Sequence, residues 1–592
     1  MNATTRRWPV LLAVLSTVLI GVSGCVGLPV SGPVQAGPPV QPAAEEAPFD
    51  FSPSGPRPGA SRASIVNGFL TAMEATPLST FVAREFLTTS SAASWHPQDS
   101  TLIYRSHTIE PTGHAVDVRL VHVVKLDRTG AWLGQPPAKQ QKPIRFKLVK
   151  QKGDWRISNP PDALIVSRDH FATHYAQYFL YFFDPSGQVL VPEPVYLPAG
   201  PQAPTLLVAD LLKGPAPSLA KVERSFIPSR TALSDISVPV DKHGVAQVPL
   251  SPPMLSLGDQ TLNKAFAQLA WTLQQEPGIE RMRVTVNGTA LSPSGQHANV
   301  DVTGWSEFAP AVAWASQSLF GIRDGRVVEV SGGRLTRVTG VFGSLDLGIR
   351  SIGVDLGAQH IAAVNAHGTS VAVAPVSRTT VTPPTPAQAH TVLSGATDLL
   401  RPVYDLFDRL WLVDRSRTGA RVYVVSHQSP TVVRVPGISG RDVRSFVLSR
   451  DGTRLVADIG ADRLVVVRVK RTESGQVTGF TRPVRIPLRL TSTESIRDLA
   501  WRTAGTLAVL VRSANSAQVL IMKVDGSSTA AERSADAEEL PGRGTRVVSS
   551  PQDGAPLYVA TQSGRLYQLN ETGRWIGVGL GGGPLASLTF VG

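Results

Sequence analysis

Cysteine is nearly absent: Cys25 is the single thiol in 592 residues. One thiol allows no intramolecular disulfide and no cysteine cluster for zinc. The folded parts therefore depend on core burial, which a chain of this length permits. Also missing are a Gly-Lys-Ser/Thr phosphate loop, a His-Glu-x-x-His helix and a Gly-x-Ser-x-Gly elbow. Charged residues make up only 17% and acids run short of bases, 45 against 57, for a net charge of +12. No apolar run reaches the ~20 residues of a membrane span, since the run from Trp8 to Ile20 is short and contains Pro9.

What precedes the cysteine is ordered by charge and size. Arg6 and Arg7 come first, then the apolar run, then Gly21-Val22-Ser23-Gly24 and Cys25. This is the charged, apolar and small-residue sequence of a secretory signal. Val22-Ser23-Gly24-Cys25 resembles a bacterial lipobox: small side chains fit a narrow peptidase groove, and the thiol is a nucleophile to be alkylated. The expectation is cleavage after residue 24, with Cys25 carrying S-diacylglyceryl and N-palmitoyl groups. Each buried methylene contributes ~0.8 kcal/mol and one chain holds only marginally, so several chains anchor stably. The predicted location is the extracytoplasmic face of the cell membrane.

A basic exported protein is drawn to anionic headgroups or wall polymers. Nucleic acid is excluded as a partner by that location and by diffuse charge lacking Lys/Arg clusters with interleaved aromatics. Hydrophobic content of 42% describes globular material.

Five segments are expected. Residues 1–24 are the signal. Residues 25–60 hold the lipidated cysteine and a linker with nine prolines, a stalk reaching roughly 100 Å if polyproline II. Residues 61–168 read as a small α+β domain. Ile65, Phe69, Leu70 and Met73 keep helical spacing, a short helix covers Thr80 to Leu87, and Val116, Val118, Leu120, His122 and Val124 alternate as one strand face. The pattern is similar to nuclear-transport-factor-like (NTF2) or cystatin-like modules. Residues 169–303 form a second α+β unit. Strands Tyr178 to Phe183 and Val189 to Val191 flank a turn, and a helix from about Pro204 is stopped by Lys213-Gly214-Pro215. A hairpin is expected between Ile236–Val240 and Val245–Val248, and a helix is marked by Leu262, Phe266, Leu269 and Leu273.

From residue 304 helical periodicity disappears and short strands follow turn signals. Val354-Asp355-Leu356-Gly357, Leu406-Phe407-Asp408, Leu448 to Gly452, Ala500-Trp501-Arg502 and Ser550 to Gly554 each precede an apolar strand. Their spacing of roughly 50 residues suits the four-stranded blades of a β-propeller. About six blades are expected, with the pair around Asp324-Gly325 closing the ring against the final strands.

These parts, in this order, resemble the actinobacterial lipoprotein LpqB family. The lipobox leads to Gly59-Ala60-Ser61 and Ile65 to Met73. Phe179 to Phe183, Leu211 to Pro215 and Trp271 through Gly288 are similar to the sporulation and germination module GerMN, and Leu448 to Ala457 is similar to the family propeller. The resemblance implies an envelope lipoprotein that associates with the extracellular part of the sensor kinase MtrB. It would modulate the MtrA/MtrB two-component system in cell-envelope, division or developmental control. It brings no catalytic residues and no cofactor.

Candidates for chemistry are few. His170 and His174 lie four apart beside Asp169, but no third zinc ligand is recognisable. Asp451-Gly452, Asp525-Gly526 and Asp553-Gly554 suit turns better than calcium, because glycine there accepts positive φ. Trp305, Trp411, Trp501 and Trp575 read as core. The basic strand Lys139, Lys142, Arg145, Lys147, Lys150 and Lys152 reads as a solvated face, with an anion-facing patch as the competing reading. The sequence thus predicts a non-catalytic, lipid-anchored adaptor. A module for wall glycan or another polyanion is the alternative, and a hydrolase assembled from propeller loops stands behind it.

Overall fold

The computed structural model describes residues 51–592 except 138–140, 332–333, 377–383, 461–462, 489, 514–515, 528–538, 553 and 581–584. Cys25, Lys139 and Asp553 lie outside the described residues. Residues 51–60, expected in the linker, lie against the first domain. Phe51 and Thr76 exchange backbone hydrogen bonds of 2.9 Å, and Gly59 N–H donates to Asp154 Oδ1 at 2.9 Å. Pairing with a preformed turn satisfies this backbone without a core of its own.

Ser61 caps the helix Arg62–Ala72, its hydroxyl accepting the Ser64 N–H at 3.2 Å, a contact worth about 1 kcal/mol. Ile65, Val66, Phe69 and Leu70 bury one helical face. Phe69 meets the rings of Trp95 at 5.2 Å and Phe146 at 6.0 Å. The second helix is Phe81–Glu85. Two four-stranded sheets complete the domain. Val116 and Val118 are buried as alternation requires, but His122, at φ 52°, ends the strand Ala115–Val121. Val124 opens a different strand, Val124–Leu126, in the other sheet. The single strand expected there is two, because the period-two pattern runs on across the left-handed residue.

In the second unit, Tyr175–Phe183 pairs antiparallel with Leu190–Pro198. Helix Ala203–Leu212 ends where Gly214 adopts φ 72°. Helix Asp259–Leu273 buries Leu262, Phe266, Leu269 and Leu273. Its polar residues finish the free edge of the strand. Gln268 donates to the Tyr181 carbonyl at 3.0 Å and accepts the Phe226 N–H at 2.7 Å, while the Thr272 hydroxyl accepts the Tyr181 N–H at 3.3 Å. Just past the helix, Gln275 pairs with both the N–H and the carbonyl of Phe179, each at 2.7 Å. Spacings of four and seven residues place these side chains on one face. The expected hairpin forms only at its turn end: Val240 bridges Ala246 antiparallel and the Pro239 carbonyl accepts the Gln247 N–H at 2.9 Å. Ile236 is 93% exposed, and Val245–Leu250 pairs along its length in parallel with Arg281–Val286. Asp241 Oδ1 accepts the N–H groups of His243 and Val245, so the segment from Asp241 to Gly244 is a turn that closes this short pairing.

Six antiparallel sheets follow among the described residues. The first joins Leu319–Arg323, Arg326–Ser331 and Arg334–Arg337 to the last strand of the chain, Ala586–Phe590. The others begin with Ile349–Val354, Val403–Tyr404, Ser445–Leu448, Ser495–Trp501 and Gly544–Val548. These first strands touch in succession, and the last of them returns to Ala586–Phe590, which also touches Ile349–Val354. Ala500 and Trp501 end the strand Ser495–Trp501 itself, while the repeats at Asp355, Phe407 and Asp451 lie in turns after first strands. There aspartates accept turn N–H groups: Asp355 from Gln359 at 2.6 Å, Asp405 from Phe407 at 2.9 Å, Asp451 from Thr453 at 2.7 Å.

Candidate functional site at a buried seam

The basic strand Ile144–Gln151 sends Arg145, Lys147 and Lys150 to solvent, and Lys142 and Lys152 are exposed beside it. Arg145 is not free. It forms a bidentate pair with Asp117 at 2.8 and 2.7 Å, which holds the Asp117 carboxyl below its ordinary value. Lys150 stands 5.5 Å from the centre of the Trp155 ring. Lys142, Lys147 and Lys152 form no ion pair among the described residues, so the open positive charge is narrower than six residues.

His170 and His174 stack at 4.3 Å on the helix Arg168–His174. Burial lowers the His170 pKa, as does the His174 charge, while Glu74 opposes them. No group of three His, Cys, Asp or Glu suited to a metal occurs among the described residues. Asp451 is occupied by protein donors, its Oδ1 accepting from Ser449 and Thr453 at 2.6–2.7 Å. Gly452 and Gly526 take φ 71° and 79°. Trp305, Trp411 and Trp501 are buried and Trp575 is half-buried at a core edge. Trp305 donates to Asn263 and Trp411 to Asp405.

The densest chemistry lies where the second unit meets the six-sheet region. Glu193 projects from Leu190–Pro198 between two prolines. Its Oε1 meets Arg454 at 2.7 Å and Arg468 at 2.6 Å, and Arg468 reaches Glu223 at 3.4 Å. Asp451 stands 3.6 Å from Arg454. Burial raises the Glu223 pKa far above the ordinary range, and the Glu193 charge raises it further. Burial also pushes Glu193 upward, but Arg468 and Arg454 outweigh it and hold Glu193 low. Two guanidiniums, Arg454 and Arg468, thus face Glu193, Glu223 and Asp451 inside the seam.

Contacts continue along this seam. Arg224 pairs with Glu473 at 2.5 Å, the Arg471 N–H donates to the Lys221 carbonyl at 2.7 Å, and Tyr196 meets Ser527 at 2.5 Å. Phe179 packs so closely on Gly505 that a Cβ there would fall 2.7 Å from its ring. Sequence reasoning missed all of these, because Arg454 and Glu193 are 261 residues apart. The one local signal is an acid set between Pro192 and Pro194 in an otherwise apolar strand.

Comparison with known proteins follows the same order of parts. The model for the lipoprotein LpqB N-terminal domain matches residues 55–172, that for a sporulation and spore germination domain 179–292, and that for the LpqB β-propeller domain 325–584. Lipoprotein LpqB of Cutibacterium acnes is 26% identical, covering 95% of this chain and 96% of its own. The protein of that name from Thermobifida fusca is also 26% identical with the same coverage, and that from Mycolicibacterium smegmatis is 28% identical over 84% of this chain and 86% of its own. The first GerMN domain of GerM from Bacillus subtilis aligns at TM-score 0.18 and 18% identity, covering 21% of this chain and 97% of its own. With both LpqB models in place and relatives aligned along nearly the whole length, the chain belongs to the lipoprotein LpqB family.

Proposed function

We propose that this protein is a non-catalytic adaptor, anchored by lipid on Cys25 at the extracytoplasmic face of the cell membrane, that modulates an MtrB-like sensor kinase. The observation that carries the reading is the buried, ion-paired seam. It joins the germination-type unit and the propeller into one body, as a scaffold presenting a fixed surface requires. The cyclic succession of first strands supports a six-bladed propeller. Helices packed on paired sheets support the nuclear-transport-factor-like or cystatin-like reading of residues 61–168. No helix among the described residues is long and apolar enough to cross a membrane, and a lipid anchor requires none. Tethering raises the effective concentration of two membrane-bound partners, so a weak interface suffices.

In-cell crosslinking with mass spectrometry, comparing wild type with Cys25→Ala, tests this reading. Crosslinks from the propeller to the kinase ectodomain, lost in the variant, are expected. Attachments to wall glycan alone would move the assignment to a polyanion-binding module, the reading favoured by the exposed Lys142, Lys147 and Lys152.

A further inference from the structure

The six-sheet region encloses a cavity of about 640 Å³ at the end where its first strands begin. That volume falls within the range of small-molecule sites, about 300–1,000 Å³. Its wall is unusual in charge. Arg350, Arg401, Arg415, Arg444, Arg497 and Arg546 all line it, and Asp498 is the single acid among the lining residues. These arginines come from five successive sheets or the segments leading into them, so the concentration of charge is created by the ring and is invisible along the chain.

Some of this charge is already balanced. Asp398, behind the wall, takes Arg350 at 2.9 Å and also Arg415. Asp498 lies 3.4 Å from Arg546 and accepts the Val547 N–H at 3.1 Å. Arg444 reaches the exposed Asp442 at 3.5 Å. Arg401 and Arg497 have no carboxylate within ion-pair distance among the described residues. Arg401 is the more telling of the two. Its guanidinium makes two long hydrogen bonds of 3.4 Å, to the carbonyls of Leu499 and Leu588 on two different first or closing strands. It therefore spans the interior of the ring, between the large cavity and a second of about 50 Å³. The smaller cavity is lined by Trp501, whose indole N–H is buried without a partner. A guanidinium carries five N–H donors, and one set out of bulk water with no carboxylate in direct contact, only the Asp498 charge acting from further off and shared with Arg546, favours an anion brought to it.

We propose that this cavity binds a small ligand bearing two or more anionic groups, with Arg401 at its floor holding one group and the rim arginines the others. Phosphate and carboxylate share the bidentate geometry that guanidinium recognises. The inference stands on the propeller alone and does not depend on the kinase-adaptor reading.

Titration calorimetry of the full-length protein in detergent micelles, at ~0.15 M salt, decides it, with inorganic tripolyphosphate and citrate as probes and sulfate as the monomeric control. At least one polyanion is expected to bind more tightly than sulfate, and which one does separates a phosphate from a carboxylate ligand. Loss of one charge-assisted contact corresponds to roughly a ten- to hundredfold weakening. That loss is expected for Arg401→Gln, and for Arg497→Gln at the rim should the first variant fold poorly; Lys147→Gln on the distant basic strand is expected to bind as wild type. Binding no tighter than sulfate, or unchanged in Arg497→Gln and in folded Arg401→Gln, would overturn the proposal. So would affinity only for an acidic peptide.

Discussion

Removing the two glutamates of the seam, singly and together, gives a result that depends on which of them carries the charge. The arginines hold the Glu193 carboxyl low while burial raises that of Glu223, and both stand against Arg454 and Arg468, whose side chains are 3% and 12% exposed. Glu223→Gln removes little charge and is expected to cost below about 1 kcal/mol, as for a neutral hydrogen bond. In Glu193→Gln burial still raises Glu223, but the Glu193 charge that raised it further is gone. Glu223 then ionises more readily beside Arg468 at 3.4 Å and replaces part of the loss. The cost is about 1.5–3 kcal/mol, the range for hydrogen bonds to a charged group. In the double variant no glutamate remains, and breaking a buried pair from one side costs about 3–5 kcal/mol. The double loss therefore exceeds the sum of the singles. A multidomain chain does not unfold in one step, so the readout is local amide exchange in Leu190–Pro198 and Arg463–Arg471. Between roughly two and four decades of faster exchange are expected in the double variant, at about 1.36 kcal/mol per decade. Additive losses, or equal losses in the two single variants, would refute the charge assignment.

Three further outcomes follow from the same contacts. Glu223, raised above the ordinary value of 4.5, stabilises the seam fully below that value and loses its effect as pH rises through its own pKa; Glu193, held low, contributes above 4.5 and is lost as pH falls through its own. Exchange protection at the seam is therefore greatest around the ordinary glutamate value, and Glu223→Gln removes the alkaline decline while keeping the acid one. Gln268→Leu strands the Tyr181 carbonyl and the Phe226 N–H and should cost about 1–3 kcal/mol, seen as faster exchange at Phe226. Gly353→Ala places a Cβ 2.3 Å from the Pro402 carbonyl oxygen, where two neighbouring sheets meet. It should destabilise by about 1–3 kcal/mol, seen as faster amide exchange in Ile349–Val354, whereas Gly577→Ala, with nothing within 4 Å, should be neutral.

Local signals carried far in this chain. Gly214 after a helix, Asn287-Gly288 at φ 51° and 78°, and Asp355, Asp405 and Asp451 in turns after first strands act through the local backbone, so composition reveals them. Alternation was less secure: it continued through His122, where the strand breaks, and suggested a full strand over Ile236–Val240, where only Val240 bridges and Ile236 is exposed. The seam and the arginine-lined cavity were illegible for a different reason. Glu193 and Arg454, or Arg401 and Leu588, become neighbours only through the order in which sheets close. Diffuse positive charge in the sequence gave no hint that six arginines line one cavity.

We propose that lipid on Cys25 holds this folded body at a membrane, and the decisive measurement is the intact mass of the protein extracted from cell membranes. The expected result is a chain that begins at Cys25 and carries the mass of a diacylglyceryl group with an amide-linked acyl chain. A chain that retains residues 1–24, or one with an unmodified thiol recovered from the soluble fraction, would contradict it.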